Sequence, residues 1–232
     1  MHLKLLLAMP LLCCAAFSQA PSTPPPVIRI VSTPVETART HNVYCCGQTT
    51  VDVLGLEAET GAPLEWMIEM HPSFASIEGQ DQALRNTPTA TLGGDTRAMI
   101  AMLQAGRSYL PEDAMRALPR SRYILVTIYR IRPEMETEFE ALPRVRRAGN
   151  PDLFYRVVSG DDSGTYVRFS PVASLRALDD AAAVGPEYSS ADVQAKAAAI
   201  EYRREHRLFR MDPKRSYVSD AFAAVDPGFW RP

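Results

Sequence analysis

Alternating apolar and polar residues divide this chain into short segments that are typical of β-strands. The strongest is YILVTIYRI (123–131), which is rich in the β-branched and aromatic residues that strands favour. Two pairs of alternating segments enclose the turn sequences TGAP (60–63) and GDDSG (160–164), so each pair predicts a β-hairpin. The predicted strands are 27–31, 51–57, 64–70, 97–103, 123–131, 152–159, 165–170 and 207–211.

Apolar residues three or four positions apart predict helices between these strands. A helix follows the second strand of each hairpin, over 72–84 and 171–183, and another is predicted over 133–142. An Ala-rich segment predicts a further helix over 190–204, whose charged end, Arg203-Arg204 with His206 beyond it, complements the helix dipole. The stretch 33–50 gives only a partial helical pattern.

The second half of the chain repeats the first. Residues 64–81 (LEWMIEMHPSFASIEGQD) align without a gap with 162–179 (DSGTYVRFSPVASLRALD), and RSYLPE (107–112) is matched by RSYVSD (215–220). A repeat of about 100 residues has the size of a small domain rather than of a solenoid unit. Each copy has the order strand, helix, hairpin, helix, strand, which is the split β-α-β order of the ferredoxin-like fold.

A single unit of this kind leaves one face of its sheet bare, and a second copy on the same chain can cover that face. We therefore predict an α+β protein of two tandem ferredoxin-like units, 27–112 and 120–215, whose antiparallel sheets pack face to face as an intramolecular barrel. The first helix of unit 1 is predicted to be truncated. Because the bare faces cover each other, the protein is expected to be a monomer or a weak dimer. Residues 216–232 form an aromatic tail that is expected to pack on the body.

The N-terminus has the composition of a signal peptide. One early cation, Lys4, precedes an apolar run from Leu5 to Phe17 that is too short to span a bilayer, and small residues follow. We expect residues 1–20 to be removed on export and 21–26 (PSTPPP) to act as a Pro-rich spacer. The protein is thus expected to be periplasmic or secreted. No later segment has the length and apolar character of a membrane span.

Charge, cysteine content and histidine spacing argue against nucleic-acid binding and against a metal site. The 232 residues carry a formal net charge of −2 with both signs mixed, which gives no electrostatic footprint for nucleic acid. Beyond the leader the cysteines are the adjacent Cys45 and Cys46, interpreted as buried thiols, with a redox-active or metal-binding pair as the alternative. His41, His71 and His206 are far apart in sequence, so no metal site is predicted.

Three segments resemble the dimeric α/β-barrel superfamily: YILVTIYRIRP (123–133), WMIEMHPSFASIE (66–78) and SYVSDAFAAVDPGFWRP (216–232). That superfamily includes the antibiotic-biosynthesis monooxygenases, stress-responsive barrel proteins and heme-handling relatives. More narrowly, the chain looks like bacterial secreted proteins that carry two such domains in tandem. The resemblance covers about 27–232 and implies the architecture; it does not imply an activity, because this fold hosts unrelated functions.

Five residues are candidates for ligand binding. Trp66 lies on a strand with apolar alternate residues and forms either core or the wall of a cavity for a flat ligand. His71 follows that strand, where it could act as an acid, a base or a heme ligand, or could bond the first-turn backbone of the next helix. Tyr155, Arg156 and Arg168 lie on the second hairpin, where an arginine could hold a carboxylate if it faces a cavity; exposed hairpin residues are the alternative.

The catalytic motifs GxSxG, HExxH and GxxxxGK[ST] are absent, which favours an exported protein that is non-catalytic or binds a small apolar or aromatic ligand between sheet and helices. No cofactor is expected for that function. The alternatives are a cofactor-independent monooxygenase or a heme-modifying enzyme, which brings in heme, and a partner-binding module that uses the C-terminal tail. Glu65 and Glu69 share one face of a strand, and that face is predicted to be solvated rather than to hold a catalytic carboxylate pair.

Overall fold

Eight antiparallel strands form a closed barrel in the computed structural model, which describes residues 22–36, 49–85, 95–145, 150–182, 187–188 and 190–231. The strands are β1 (Val27–Pro34), β2 (Val53–Ala58), β3 (Leu64–His71), β4 (Arg97–Leu103), β5 (Tyr123–Ile131), β6 (Leu153–Ser159), β7 (Thr165–Val172) and β8 (Glu201–Tyr217). Around the barrel they follow the order β1-β3-β2-β8-β5-β7-β6-β4, and β4 pairs back onto β1.

Each half of the chain supplies four strands in the same spatial order. The first sheet runs β4-β1-β3-β2 and the second β8-β5-β7-β6, which is the strand order of the ferredoxin-like fold in both cases. The barrel closes where the edge strands of the two sheets pair, β2 with β8 and β4 with β6. The predicted fold class, an α+β intramolecular barrel of two ferredoxin-like sheets, is confirmed, and closure removes the unpaired edges that an open sheet would expose.

The two strand pairs that close the barrel, β2–β8 and β4–β6, are its two seams. The repeated Arg-Ser-Tyr sequence forms the same hydrogen-bonding arrangement at both. Beyond β4, the Ser108 hydroxyl accepts a hydrogen bond from the backbone N–H of Phe154 in β6 at 3.0 Å and donates to the carbonyl four residues earlier at 3.0 Å. In β8, the Ser216 hydroxyl accepts from the N–H of Gly55 in β2 at 2.9 Å and likewise donates four residues back at 2.7 Å. Gly55 has no room for a side chain, because a Cβ would lie 2.8 Å from the Arg215 carbonyl oxygen.

Alternate residues of every strand point into the barrel and form one packed core. Trp66 packs on Phe209 with ring centroids 4.7 Å apart, and Tyr155 meets Phe169 edge to face at 5.9 Å. Trp66 and Tyr155 are only 2% and 1% exposed. Both candidate ligand-binding aromatics therefore belong to the barrel interior.

Some helices cover the outer face of the second sheet, and other helices contribute side chains to the core inside the barrel. Phe139 and Ile200 lie on two of these helices and cover the aromatic outer face of the second sheet at Tyr129, Phe154 and Tyr166. The helices are α1 (Phe74–Arg85), α2 (Pro111–Ala117), α3 (Glu136–Ala141), α4 (Arg176–Ala182), α5 (Ala191–Ile200), α6 (Asp220–Ala223) and α7 (Pro227–Trp230), with a 3-10 turn at Leu118–Arg120.

The C-terminal tail packs on the body, in line with its predicted behaviour. Trp230 is 2% exposed, and its indole Nε1 donates a hydrogen bond to the Pro119 carbonyl at 2.7 Å. Its ring meets Phe222 and Phe229 edge to face, at 5.1 and 4.8 Å. The Arg122 guanidinium lies 4.0 Å from the centre of the Phe229 ring. These contacts join α6 and α7 to the segment that links the two sheets.

The helix predicted over 190–204 is wrong over its last four residues. The helix ends at Ile200, and a strand of 17 residues, Glu201–Tyr217, replaces the predicted strand 207–211. Pairing with β5 on one side and β2 on the other stabilises this charged segment as a strand, which its own residue preferences do not indicate. Arg204 and His206 consequently lie on a sheet and not at a helix end.

The prediction that Glu65 and Glu69 face solvent is also wrong. They are 9% and 0% exposed, and each carboxylate is paired with an arginine, Glu65 with Arg215 and Glu69 with Arg29. Both side chains lie on the outer face of β3, and other parts of the chain shield this face from solvent.

The ungapped alignment of the repeat is wrong in register. It matches His71 with Phe169, yet Phe169 belongs to the barrel interior, whereas His71 lies on the opposite face of its strand from Met70, which packs against that interior. Strand pairing opposes His71 to the first residue of β1 and Val172 to the first residue of β5, so Val172 is the structural counterpart of His71. A shift by an odd number of residues exchanges the two faces of a strand.

Several predictions lie outside the described residues: the signal peptide 1–20, the cysteines Cys45 and Cys46, and most of 33–50 with its truncated helix. The unit bounds 27–112 and 120–215 also stay predictions. Among the described helices, none is both long enough and apolar enough to cross a membrane.

Candidate functional site

A cavity of about 1070 Å³ lies between the outer face of the second sheet and the segments that cover it. The sheet contributes Leu125 from β5, Arg168 from β7, and Arg204 and His206 from β8. Its walls come from the segment that follows β4, from the segment that precedes β6, from α4 and from Glu187. The volume is at the upper end of the range of small-molecule sites.

Strand pairing places three polar side chains of the sheet side by side. Thr127 on the central strand β5 is opposite Arg168 on one side and His206 on the other. Its hydroxyl accepts a hydrogen bond from Arg168 Nη2 at 3.0 Å and lies 3.1 Å from Nδ1 of His206. Thr127 thus fixes the orientation of both the guanidinium and the imidazole.

Glu187 is the anionic centre of the cavity wall. Its carboxylate accepts hydrogen bonds from the Tyr129 hydroxyl at 2.7 Å, from Arg144 Nε at 2.9 Å and from Arg168 Nη1 at 3.0 Å. Arg204 lies 3.6 Å from the other carboxylate oxygen. Burial alone would raise the pKa of Glu187, but the charges of Arg168 and Arg144 outweigh it and the pKa is lowered. Glu187 is therefore ionised at neutral pH.

Arg107 is a largely buried cation for which the described residues supply no carboxylate. Its Nη1 donates to the carbonyls of Phe139 and Glu140, both at 2.7 Å, and its guanidinium lies 4.4 Å from the centre of the Phe139 ring. Nε and Nη2 are shielded from solvent and have no acceptor among the described residues. Burial first, and then the nearby Arg144 cation, lower the pKa of Arg107.

The charged lining of the cavity has an excess of cations. Arg144 is balanced, since Asp152 accepts from its Nη2 at 2.8 Å in addition to the Glu187 contact. Arg107 is not balanced in this way. The charged residues that line the cavity are Arg107, Arg120, Arg144, Arg168 and Arg204, together with Glu140, Asp152 and Glu187.

His206 is the described histidine that lines this cavity. Its partial burial lowers its pKa below the ordinary value of 6.5, and the positive charges of Arg168 and Arg204 lower it further. At neutral pH the imidazole is therefore uncharged, and a neutral imidazole can accept a proton.

The structure brings only one of the five predicted site residues to the cavity. Arg168 lies in it, whereas Trp66 and Tyr155 fill the barrel interior and the Tyr155 hydroxyl donates to the Pro25 carbonyl at 3.0 Å. Arg156 points outward with 51% of its side chain exposed, and His71 lies on the outer face of the first sheet. These five residues therefore do not form one site.

Three of the cavity residues that sequence reasoning missed lie in segments without hydrophobic periodicity. Arg107, Arg144 and Glu187 come from connecting segments, where no hydrophobic pattern indicates direction. Arg204 and His206 could have been found, because alternation counted back from Phe209 and Met211 places even-numbered residues on the other face.

Heme fits this cavity in part. The volume and the arginines suit a flat ring with carboxylate substituents, and His206 could offer its second ring nitrogen to iron. His71 does not fit the role of heme ligand, because Ser76 and Glu69 lie within hydrogen-bond distance of its two nitrogens. Within the described ranges no group of three His, Cys, Asp or Glu side chains could hold a metal ion.

Comparison with known proteins identifies the fold. No family profile matches the sequence, and no curated protein matches it either. Among solved structures, an anthrone oxidase-like protein is 8% identical with a TM-score of 0.51, and the match covers 82% of this chain and 93% of that one. A candidate monooxygenase from Fusobacterium nucleatum is 9% identical with a TM-score of 0.50, covering 81% and 93%. The chain thus has the dimeric α/β-barrel fold, with both halves of the barrel in one polypeptide.

Proposed function

We propose that the protein binds a small organic anion with an aromatic or apolar body in the cavity of the second sheet. The observation that carries this proposal is Arg107, a largely buried guanidinium with no carboxylate partner among the described residues, beside a lining with five arginines and three carboxylates. A buried cation is costly unless an anion compensates it, so a ligand carboxylate would stabilise the site.

Apolar side chains of the same cavity provide for the body of the ligand. Leu125 and Val172 of the sheet and Leu142 and Leu178 of the covering segments all line the cavity. Ligand sites commonly combine such a lining with a few polar groups that fix orientation. A bicyclic aromatic carboxylate is therefore a suitable probe.

Calorimetric titration with 1-naphthoate and with its neutral analogue 1-naphthamide tests the proposal. We expect naphthoate to bind at least tenfold more tightly, since a hydrogen bond to a charged group contributes about 1.5–3 kcal/mol. Arg107→Met or Arg168→Met should remove that preference. Arg156→Met is the matched control, because Arg156 lies on β6 of the same sheet but is exposed outside the cavity lining.

Equal affinity for the acid and the amide would contradict the proposal. So would a loss of binding in Arg156→Met as large as in Arg107→Met, because it would place the ligand on the exposed face. Thermal melting of each variant without ligand separates a lost site from a lost fold.

A second candidate function is cofactor-independent oxygenation of an aromatic ligand that has an acidic C–H group, and His206 favours it. A neutral imidazole could take a proton from an acidic C–H group of the ligand, while Arg168 and Arg204 stabilise the resulting anion. With anthrone as substrate and dioxygen as oxidant, the products are anthraquinone and water. Oxygen uptake with anthrone should exceed the spontaneous rate and fall in His206→Gln; uptake at the spontaneous rate would exclude this candidate.

Hemin is a further member of the proposed ligand class. A Soret shift on titration that is lost in His206→Gln would indicate iron ligation. A Soret shift that persists in this variant would indicate binding of the porphyrin as an anion only.

A further inference from the structure

A second polar cluster lies on the outer face of the first sheet, where β3 ends and α1 begins. His71, the last residue of β3, has Nδ1 2.7 Å from the Ser76 hydroxyl oxygen and Nε2 2.7 Å from a carboxylate oxygen of Glu69. Glu69 and His71 are 0% exposed, while Ser76 in the first turn of α1 is half-buried. A hydroxyl near solvent is thus connected through an imidazole to a buried carboxylate.

The hydrogen bonds determine which nitrogen of His71 is protonated. Arg29 donates to both oxygens of Glu69, at 2.7 and 2.9 Å, which favours the ionised carboxylate. A carboxylate only accepts, so Nε2 of His71 carries the proton that points to Glu69. In a neutral ring Nδ1 then has a lone pair for the Ser76 hydroxyl, whose other acceptor, the Ser73 carbonyl, is more distant at 3.0 Å.

This arrangement has the three parts of an activated nucleophile: a hydroxyl, a base within 2.6–3.2 Å of it, and a third group that orients the base. Compared with serine proteases, the two ring nitrogens exchange roles, since here Nδ1 faces the serine. Residues 72–75 beside Ser76 are exposed, and Phe74 is 48% exposed, so an ester can approach the hydroxyl from solvent.

We propose that Ser76 is a nucleophile that accepts an acyl group from activated esters, with His71 as the base and Glu69 as a positioning residue. The Ser76 oxygen forms a bond to the ester carbonyl carbon, and its proton passes to Nδ1 of His71. The bond from that carbon to the leaving oxygen then breaks, and the leaving group departs as a phenolate that needs no proton. The imidazolium is stabilised by the Glu69 carboxylate.

The burial of His71 restricts hydrolysis of the acylated serine. Hydrolysis would need a water molecule next to Nδ1, but His71 is fully enclosed and its Nδ1 is directed at Ser76. The acyl group should therefore remain on Ser76. We expect one acylation per molecule and little turnover, with esters of good leaving groups as the reactive class. No residue of this cluster lines the cavity of the second sheet, so acylation of Ser76 is independent of anion binding in that cavity.

Pre-steady-state kinetics with p-nitrophenyl acetate test the proposal. We expect a burst of p-nitrophenolate equal to the protein concentration, a mass increase of one acetyl group on the intact protein, and a labelled peptide that contains Ser76. Ser76→Ala should abolish the burst. His71→Gln, which can still hydrogen-bond but cannot accept the proton, should slow it by about 10²–10⁴-fold. Ser174→Ala is the matched control, because Ser174 is an exposed serine just before α4, in the other half of the chain, and should leave the burst unchanged.

An unchanged burst in Ser76→Ala, or an acetyl group mapped to another residue, would overturn the proposal. The absence of a burst in the wild-type protein would also overturn it. If His71→Gln fails to fold, Ser76→Ala decides alone, since it removes a single half-buried oxygen and its melting temperature can be compared directly with that of Ser174→Ala.

Discussion

Replacing the seam serines, Ser108→Ala and Ser216→Ala, should destabilise the protein by equal amounts. Each serine is buried, at 5% and 8% exposure, and each substitution removes two hydrogen bonds and leaves a backbone N–H of the neighbouring strand without its acceptor. Leaving a buried donor unsatisfied costs about 1–3 kcal/mol, so we expect about 2 kcal/mol for each variant. For a chain of this size that corresponds to a fall in melting temperature of about 4–8 °C.

Urea denaturation at equilibrium measures these free energies of unfolding. Other strands separate the two seams in both directions around the barrel. The loss in free energy of unfolding of the double variant should therefore equal the sum of the losses of the two single variants. Ser159→Ala is the control, because Ser159 lies at the β4–β6 seam but is exposed, and it should change stability by less than about 0.5 kcal/mol. A loss at one seam only would refute the inference that the repeated serines have the same role.

Three further predictions concern the tail, pH and assembly. Trp230→Phe should cost about 1–3 kcal/mol in urea denaturation, because the Pro119 carbonyl loses its buried donor; an unchanged midpoint would contradict the packing of the tail. The pKa of His206 is lower in the folded state, so the unfolded chain binds more protons. The contribution of His206 to the free energy of unfolding should be complete above pH 6.5 and should be lost as the pH falls through the lowered pKa. His206→Gln should flatten that decline in stability. We propose a monomer, because both seams lie within one chain, and light scattering that gives a stable dimer would contradict it.

The architecture could be predicted from the sequence because the residues that point into the barrel core alternate regularly along the strands. The run Tyr123–Ile131 alternates buried residues with partly exposed ones over its first positions, and the repeat of Arg-Ser-Tyr indicated two copies. The register of the copies could not be fixed in the same way. An ungapped alignment is fixed by identical residues such as the shared Ala-Ser. In the fold, the number of residues between strand and helix differs between the two copies.

Charged residues on outer strand faces were the main source of error. Glu69 looks like a solvent-facing residue because its partners, Arg29 and His71, are brought to it by strand pairing and not by proximity along the chain alone. Similarly, the charged start of β8 resembles a helix end because an ion-paired outer face has no hydrophobic period. Burial of charge by pairing between distant segments cannot be read from a single sequence.

The crystal structure of the complex with 1-naphthoate tests the central claim most directly. Anion binding in the second sheet predicts density for the naphthoate ring between Leu125 and Leu178, with its carboxylate within hydrogen-bond distance of Arg107 or Arg168. Naphthoate found in the barrel interior, on the first sheet, or in the cavity with its carboxylate away from every arginine would contradict the claim.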